Sequence, residues 1–190
     1  SSGASGDSNA ILRKLMEAGY SGRTLLPVVD AAAVQIAFAA GVGGRIETTL
    51  GGTCDPKRFQ PLRITATVRL LSDGKFRSES FGEEWLAGPT AVLESGNFTI
   101  VVGSNPVNLY DRSFYFAHGQ NPQNFDAVVV KSPHCQHHMY EDWCAKMIHV
   151  DAPGSSSANL PSLGHTRCPR PIFPLDDMVE RLRITGKFIG

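Results

Sequence analysis

Three of the six histidines and one of the four cysteines fall within residues 134–138, directly after the apolar run Val128-Val129-Val130. Ser132 suits a helix N-cap and Pro133 the first helical position, which places His134 and Cys135 in an opening turn whose backbone N–H groups have no partners within the helix. Such an end attracts anions and activates a thiol. Projected at about 100° per residue, residues 134–148 put Met139, Tyr140, Trp143, Cys144, Met147 and Ile148 on one apolar stripe. His134 and His138 share the opposite face, His137 sits at the stripe's edge, and Cys135 turns towards it. Two readings follow: a polar triplet of His134, His137 and His138 presented to a ligand, a metal or a partner, or a solvated helix face above an inert buried cysteine. The spacing is not that of a zincin helix, because no glutamate lies between the histidines.

A second candidate lies at the start of the chain. Gly3, Ser5, Gly6, Asp7 and Ser8 form a small-residue loop that runs into a helix carried by Ile11, Leu12, Leu15 and Met16, with Asp7 or Ser8 as cap and Gly19 as stop. A loop of this kind can wrap an anionic group with backbone N–H donors, although it lacks the Gly-x-Gly-x-x-Gly spacing and no strand precedes it. A frayed or added terminus is the plainer alternative. An amino-terminal Ser1 or Ser2 released by self-cleavage can also act as a nucleophile with its own amine as base.

The elements that must carry these residues are mixed. Leu25–Val29 reads as a strand, and Asp30 caps a helix that Gly41 ends. Arg45–Leu50 reads as a second strand, and Ile64, Ala66, Val68 and Leu70 alternate with polar residues in a third. Asp73-Gly74 signals a hairpin into 75–80, and residues 94–97 a hairpin joining 91–93 to 98–102. A short helix is expected near 112–119, a central, doubly covered strand at 127–131, a helix over 133–148 and a short strand at 148–150. Residues 155–176, rich in Pro, Ser and Gly, read as a long draped segment packing through Leu160, Leu163, Ile172 and Phe173. The expected fold is mixed α/β in a single domain over 1–190: a mixed sheet with antiparallel hairpins, flanking helices and a long irregular C-terminal segment.

Eighteen basic residues balance eighteen acidic ones, which removes the electrostatic case for nucleic acid or an anionic membrane surface. No apolar run reaches the roughly 18 residues of a membrane span. The four cysteines are widely spaced without a Cys-x-x-Cys pair, so neither a disulfide framework nor a structural zinc cluster is expected, and a cytoplasmic location is.

Several short blocks, in order over nearly the whole chain, together resemble the carboxy-terminal domain of the microcystin-degradation (microcystinase C-like, MlrC) zinc metallopeptidase family. They are residues 2–8, Ala40-Gly41-Val42-Gly43-Gly44, Leu50-Gly51-Gly52, Leu71-Ser72-Asp73-Gly74, Val130-Lys131-Ser132, Val150-Asp151-Ala152-Pro153-Gly154 and Arg170 to Asp176. The resemblance implies a longer protein whose N-terminal half binds zinc, and a chain that is a fragment, a processed subunit or one domain of it. It implies a domain that completes the pocket of a zinc-dependent peptidase or amide hydrolase and is inactive by itself. His134 and His137 would steady the developing oxyanion, and Lys131 and Ser132 would position the strand end. The loop of Gly3, Ser5, Gly6, Asp7 and Ser8 would grip a carboxylate or amide of the substrate, with Cys135 and His138 beside it. Where relatives carry a single histidine this sequence offers His134, Cys135 and His137, and the donor role stays open among them. The implied partners are the N-terminal metal-binding domain, a peptide or amide small-molecule substrate and, optionally, a second copy. The alternative to catalysis is a docking domain acting through residues 155–176.

Overall fold

The computed structural model describes residues 4–109, 111–131, 136–153 and 159–176. The chain divides into two compact units, residues 1–156 and 157–190. In the first, helix α1 (Ala10–Glu17) leads to strand β1 (Thr24–Val29), helix α2 (Ala31–Ala40) and strands β2 (Arg45–Leu50), β3 (Leu62–Ser72), β4 (Lys75–Arg77), β5 (Glu84–Leu86), β6 (Thr90–Ser95) and β7 (Phe98–Gly103). Helix α3 (Ser113–Ala117), strand β8 (Ala127–Val128) and helix α4 (His138–Glu141) complete it. The main sheet has the order β2-β3-β6-β7-β1-β8. Its β2, β3, β6 and β7 pair antiparallel, whereas β1 runs parallel to both β7 and β8. The class is mixed α/β, as the sequence implies.

The hydrophobic pattern explains the layers. One sheet face buries Leu26, Val28, Ile64, Ala66, Val68, Leu93, Ile100 and Val102 against Leu12 of α1 and Ala33, Val34 and Ala37 of α2. The other face buries Leu25, Val92 and Val101 against Phe76, Phe114 and Tyr115. Strands β6 and β7 are therefore covered on both faces and read as nearly continuous apolar runs, whereas β3 alternates because Arg63 and Thr65 look out to solvent. At roughly 25 cal/mol per Å² of apolar area removed from water, this double burial is the main source of stability.

Five local expectations fail. The Asp73-Gly74 turn does not fold β4 back on β3: β3 pairs with β6, and β4 pairs with β5 in a separate two-stranded sheet. Gly74 has φ +74°, and a Cβ on it would lie 1.8 Å from the Gly88 carbonyl, so the turn packs against residues 87–88. The run 127–131 supplies only the two-residue β8, at the sheet edge and not its centre. The described part of the 133–148 helix shrinks to His138–Glu141; Tyr140 is buried, Ile148 and Val150 are exposed, and 148–150 is not a strand. In the second unit, Leu160–Leu163 forms one 3-10 turn and Arg170 pairs with Asp176. Leu160, Ile172 and Phe173 are exposed there and Leu163 is half-buried, so the expected packing through these side chains is absent for three of the four.

His118 shows how the second core layer depends on pH. It is fully buried, its Nδ1 lies 2.6 Å from the Phe114 carbonyl, and its Nε2 is enclosed without a hydrogen-bond partner among the described residues. Nδ1 must carry the proton that meets the carbonyl, and protonating Nε2 would bury an unpartnered charge. Burial accordingly lowers its pKa, against the Phe114 carbonyl and the charge of Asp73. Between the lowered folded value and the ordinary one the folded state binds fewer protons than the unfolded state, so this contribution is present above the ordinary imidazole value and is lost as pH falls. In urea titrations the stability of wild type relative to His118→Phe should fall between pH 7 and pH 5, by at most about 2 kcal/mol. A pH-independent difference would refute this account of the buried imidazole.

Candidate functional site

The carboxyl ends of parallel strands are where open α/β sheets leave a crevice, and here those of β1 and β8 meet the loop before α1. Val29 at the end of β1 donates its N–H to the Gly6 carbonyl at 3.1 Å. Asp30 follows: its carboxylate caps α2 by accepting from Ala33 N at 3.0 Å and also accepts from Gly51 N at 2.9 Å, tying the end of β2 to the end of β1. Just past β8, Lys131 crosses back and its Nζ donates to the carbonyls of Gly6 at 3.2 Å and Ser8 at 2.5 Å. The residue as a whole is half-buried, but its ammonium is enclosed, and burial pushes its pKa down to about 7 with the charge of Asp7 opposing.

Asp7 fixes the other side of the loop. Its side chain is fully buried, accepts from Cys54 N at 2.8 Å and Asp55 N at 2.9 Å, and takes a further hydrogen bond from the Ser5 hydroxyl. Burial pushes this carboxyl up; the Ser5 hydroxyl and the surrounding amides outweigh that and leave it below its usual value. The Asp7 carbonyl accepts from Gly52 N at 3.2 Å. Asn9 is buried as well and donates to the carbonyls of Leu50 at 2.7 Å and Gln60 at 2.8 Å. These contacts demand glycine at two points. Gly6 (φ +75°) would drive a Cβ to 2.6 Å from Val29 Cγ2, and Gly51 (φ +68°) would drive one to 2.3 Å from the Asp7 carbonyl.

Of the residues singled out from the sequence, Ser5, Gly6, Asp7, Ser8 and Lys131 come together here. His137 and His138 sit at α4: His137 Nδ1 is 3.7 Å from Glu141 and its ring lies 5.9 Å from that of His149, while His138 is exposed. Gly3, Ser132, His134 and Cys135 lie outside the described residues. Arg112, just before α3, ties down α4: its Nη1 donates to the Met139 carbonyl at 3.3 Å while its Nη2 pairs with Glu79 at 2.7 Å, and the buried Tyr115 hydroxyl of α3 donates to the Val129 carbonyl just past β8 at 2.6 Å. Asn9, Gly51 and Gly52 carry no polar-cluster signal that marks them as site residues, and Asp30 reads from the sequence only as a cap. The one signal for them was the strand-ending Leu50-Gly51-Gly52.

Among the described residues no three His, Cys, Asp or Glu side chains converge on a point where they could hold a metal ion. Cys54, Cys144 and Cys168 are unpaired thiols. No helix among the described residues is long and apolar enough to cross a membrane.

Comparison with known proteins places this geometry. The model of the MlrC C-terminus family matches residues 1–167, a span that contains the loop, both glycines and Lys131. Microcystinase C from Sphingomonas sp. is 25% identical over 174 residues, which are 92% of this chain and 33% of the relative. The crystal structure of the "Putative metallopeptidase" from Mesorhizobium sp. BNC1 superimposes with a TM-score of 0.79 at 30% identity, over 93% of this chain and 36% of that one. The chain thus spans about a third of the length of these relatives. With the match running from the loop past Lys131, the chain belongs to the MlrC C-terminus family.

Proposed function

We propose that this chain is the C-terminal domain of a zinc-dependent peptidase or amide hydrolase, where it closes a substrate pocket over a metal carried by the N-terminal part. The observation that carries the reading is the Lys131 bridge, which fixes the loop of residues 5–8 at the carboxyl ends of the parallel strands. In this role Asp7 and Lys131 are positioning residues whose charges are spent inside the protein. The loop that includes Ser5, Gly6 and Ser8, together with Gly3, grips the substrate's carboxylate or amide, as a rigid wall does for a near-attack geometry. The imidazoles of His134 and His137 steady negative charge on the substrate oxygen, and Cys135 and His138 contribute to binding the substrate. The described residues offer no ligand set for zinc, and the metal's own steps belong to the other part of the protein. A cytoplasmic setting goes with the same reading.

The test compares the full-length protein with its Lys131→Met and His137→Ala variants on short peptides, with zinc content measured on each. Lys131→Met should lower kcat/KM by about 100-fold through loss of positioning, and His137→Ala by about 10- to 100-fold mainly in kcat, at unchanged zinc content. Full activity in both variants, or equal activity from the N-terminal part alone, would leave this chain a docking domain.

A further inference from the structure

Helix α2 has an unusual composition for the surface of a domain. Its ten residues include no charged side chain, and Gln35 is its single polar one. Ala33, Val34 and Ala37 face the sheet and are buried. The opposite face carries Ala32, Gln35 and Ala39 at i, i+3 and i+7, flanked by Ile36 at 41% exposure and Phe38 at 44%, with Val42 at 65% just beyond the helix end. A helix that is apolar all round is normally covered on both sides. Here the outer side is open to solvent.

We infer that the outer face of α2 is the surface on which the remaining part of the longer protein docks. The inference rests on the proposed function in taking that part to be the metal-bearing one. Three considerations favour this occupant. The relatives are about three times the length of the chain, so a domain of this kind shares its surface with a large neighbour on the same polypeptide. A ten-residue helix is about 15 Å long and about 10 Å wide, so the face offers on the order of 150 Å², far below the roughly 800 Å² per partner that a stable complex of separate molecules buries. A face this small suffices when the partner is tethered, because linkage raises its effective concentration to about millimolar.

The third consideration is position. α2 is capped by Asp30, whose carboxylate accepts from Gly51 N, and Gly51 abuts the Asp7 carbonyl. α2 packs over β2, β3, β6 and β7, and its face starts at the rim that holds the 5–8 loop, so a body seated on it lies next to that loop. The small Ala32 and Ala39 on either side of Gln35 keep the face low, so a helix can approach to about 8–10 Å interaxial distance.

The experiment reads thiol accessibility at residue 39. Ala39→Cys is placed in this chain alone and in the full-length protein, labelled with a maleimide and quantified by peptide mapping, which separates it from the native cysteines. Labelling in the full-length protein should be slower by at least about tenfold, equivalent to about 1.4 kcal/mol favouring the closed interface. A second substitution, Ile36→Glu, should restore the fast rate there. Equal rates in the two contexts overturn the inference even if the full-length protein holds zinc. Protection without zinc in the protein keeps the docking surface and overturns the metal reading instead. Sedimentation of the chain alone should give a monomer, and a dimer that Ile36→Glu dissociates would assign the face to a second copy and overturn the proposal.

Discussion

Raising the pH from 7 to 10 should stabilise the wild-type chain by about 3 kcal/mol relative to Lys131→Met, measured as the difference in unfolding free energy from urea titrations at each pH. The cause is the enclosed amine, whose pKa is lowered from 10.5 to about 7. The sign follows from proton counts: between those two values the folded state binds fewer protons than the unfolded state, so stability rises with pH across the window. Below about 7 the full cost of burying the ammonium is felt, roughly 5 kcal/mol for a shift of this size at 1.36 kcal/mol per unit, and above 10.5 it has gone. Deprotonation need not break the bridge, because a neutral amine keeps two N–H donors and the site has two carbonyl acceptors, Gly6 and Ser8. Lys131→Met leaves the Ser8 carbonyl without this donor but has no charge to bury, so it should look nearly neutral at pH 7 and clearly destabilising at pH 10. If the two proteins change in parallel from pH 7 to 10, the amine is solvated and the bridge is not as described.

Asp7→Ala should cost about 3 kcal/mol at pH 7, one of the largest single-residue effects in the domain. It leaves the amides of Cys54 and Asp55 without their acceptor and releases the Ser5 hydroxyl. Asp7→Asn should cost less, about 1 kcal/mol, since its one oxygen can still accept from the Cys54 and Asp55 amides and its amide can donate to the Ser5 hydroxyl, and the loss is mainly that of charge-assisted strength. The carboxyl sits below its ordinary value of 3.8 in the folded state. Its contribution is therefore complete above that value and fades as pH falls through the folded one, so wild type and Asp7→Asn should converge in acid. Unchanged melting of both variants at pH 7 would show that the 52–55 segment does not depend on this carboxylate.

What the sequence makes legible is local. Asp30 caps α2 because a short acidic side chain at that position meets the free N–H of Ala33, and Gly96-Asn97 closes β6 on β7 because the two strands are adjacent in sequence. Pairings between distant segments are not legible in the same way. Alternation at residues 64–70 identifies a strand, yet nothing in the Asp73-Gly74 turn says that its partner is β6 and not β4. The segment after residue 141 has helical periodicity but little to bury it against, and its apolar residues Ile148 and Val150 end up in solvent. The site divides along the same line. Ser5 to Ser8 and Lys131 stand out as separate polar signals, but their union joins residues 123 apart in the chain. Lys131 lies just past β8 and clamps carbonyls of a loop at the start of the chain. Asn9 and Asp30 are ordinary-looking residues whose importance comes from burial, which spacing does not reveal.

Lys131 holds Gly6 and Ser8 by main-chain oxygens, which every amino acid possesses. Its grip is therefore blind to what the neighbouring positions display. Descendants of one ancestor can exchange Ser8 for other residues, and so diversify in what they recognise, without rebuilding the scaffold that presents it.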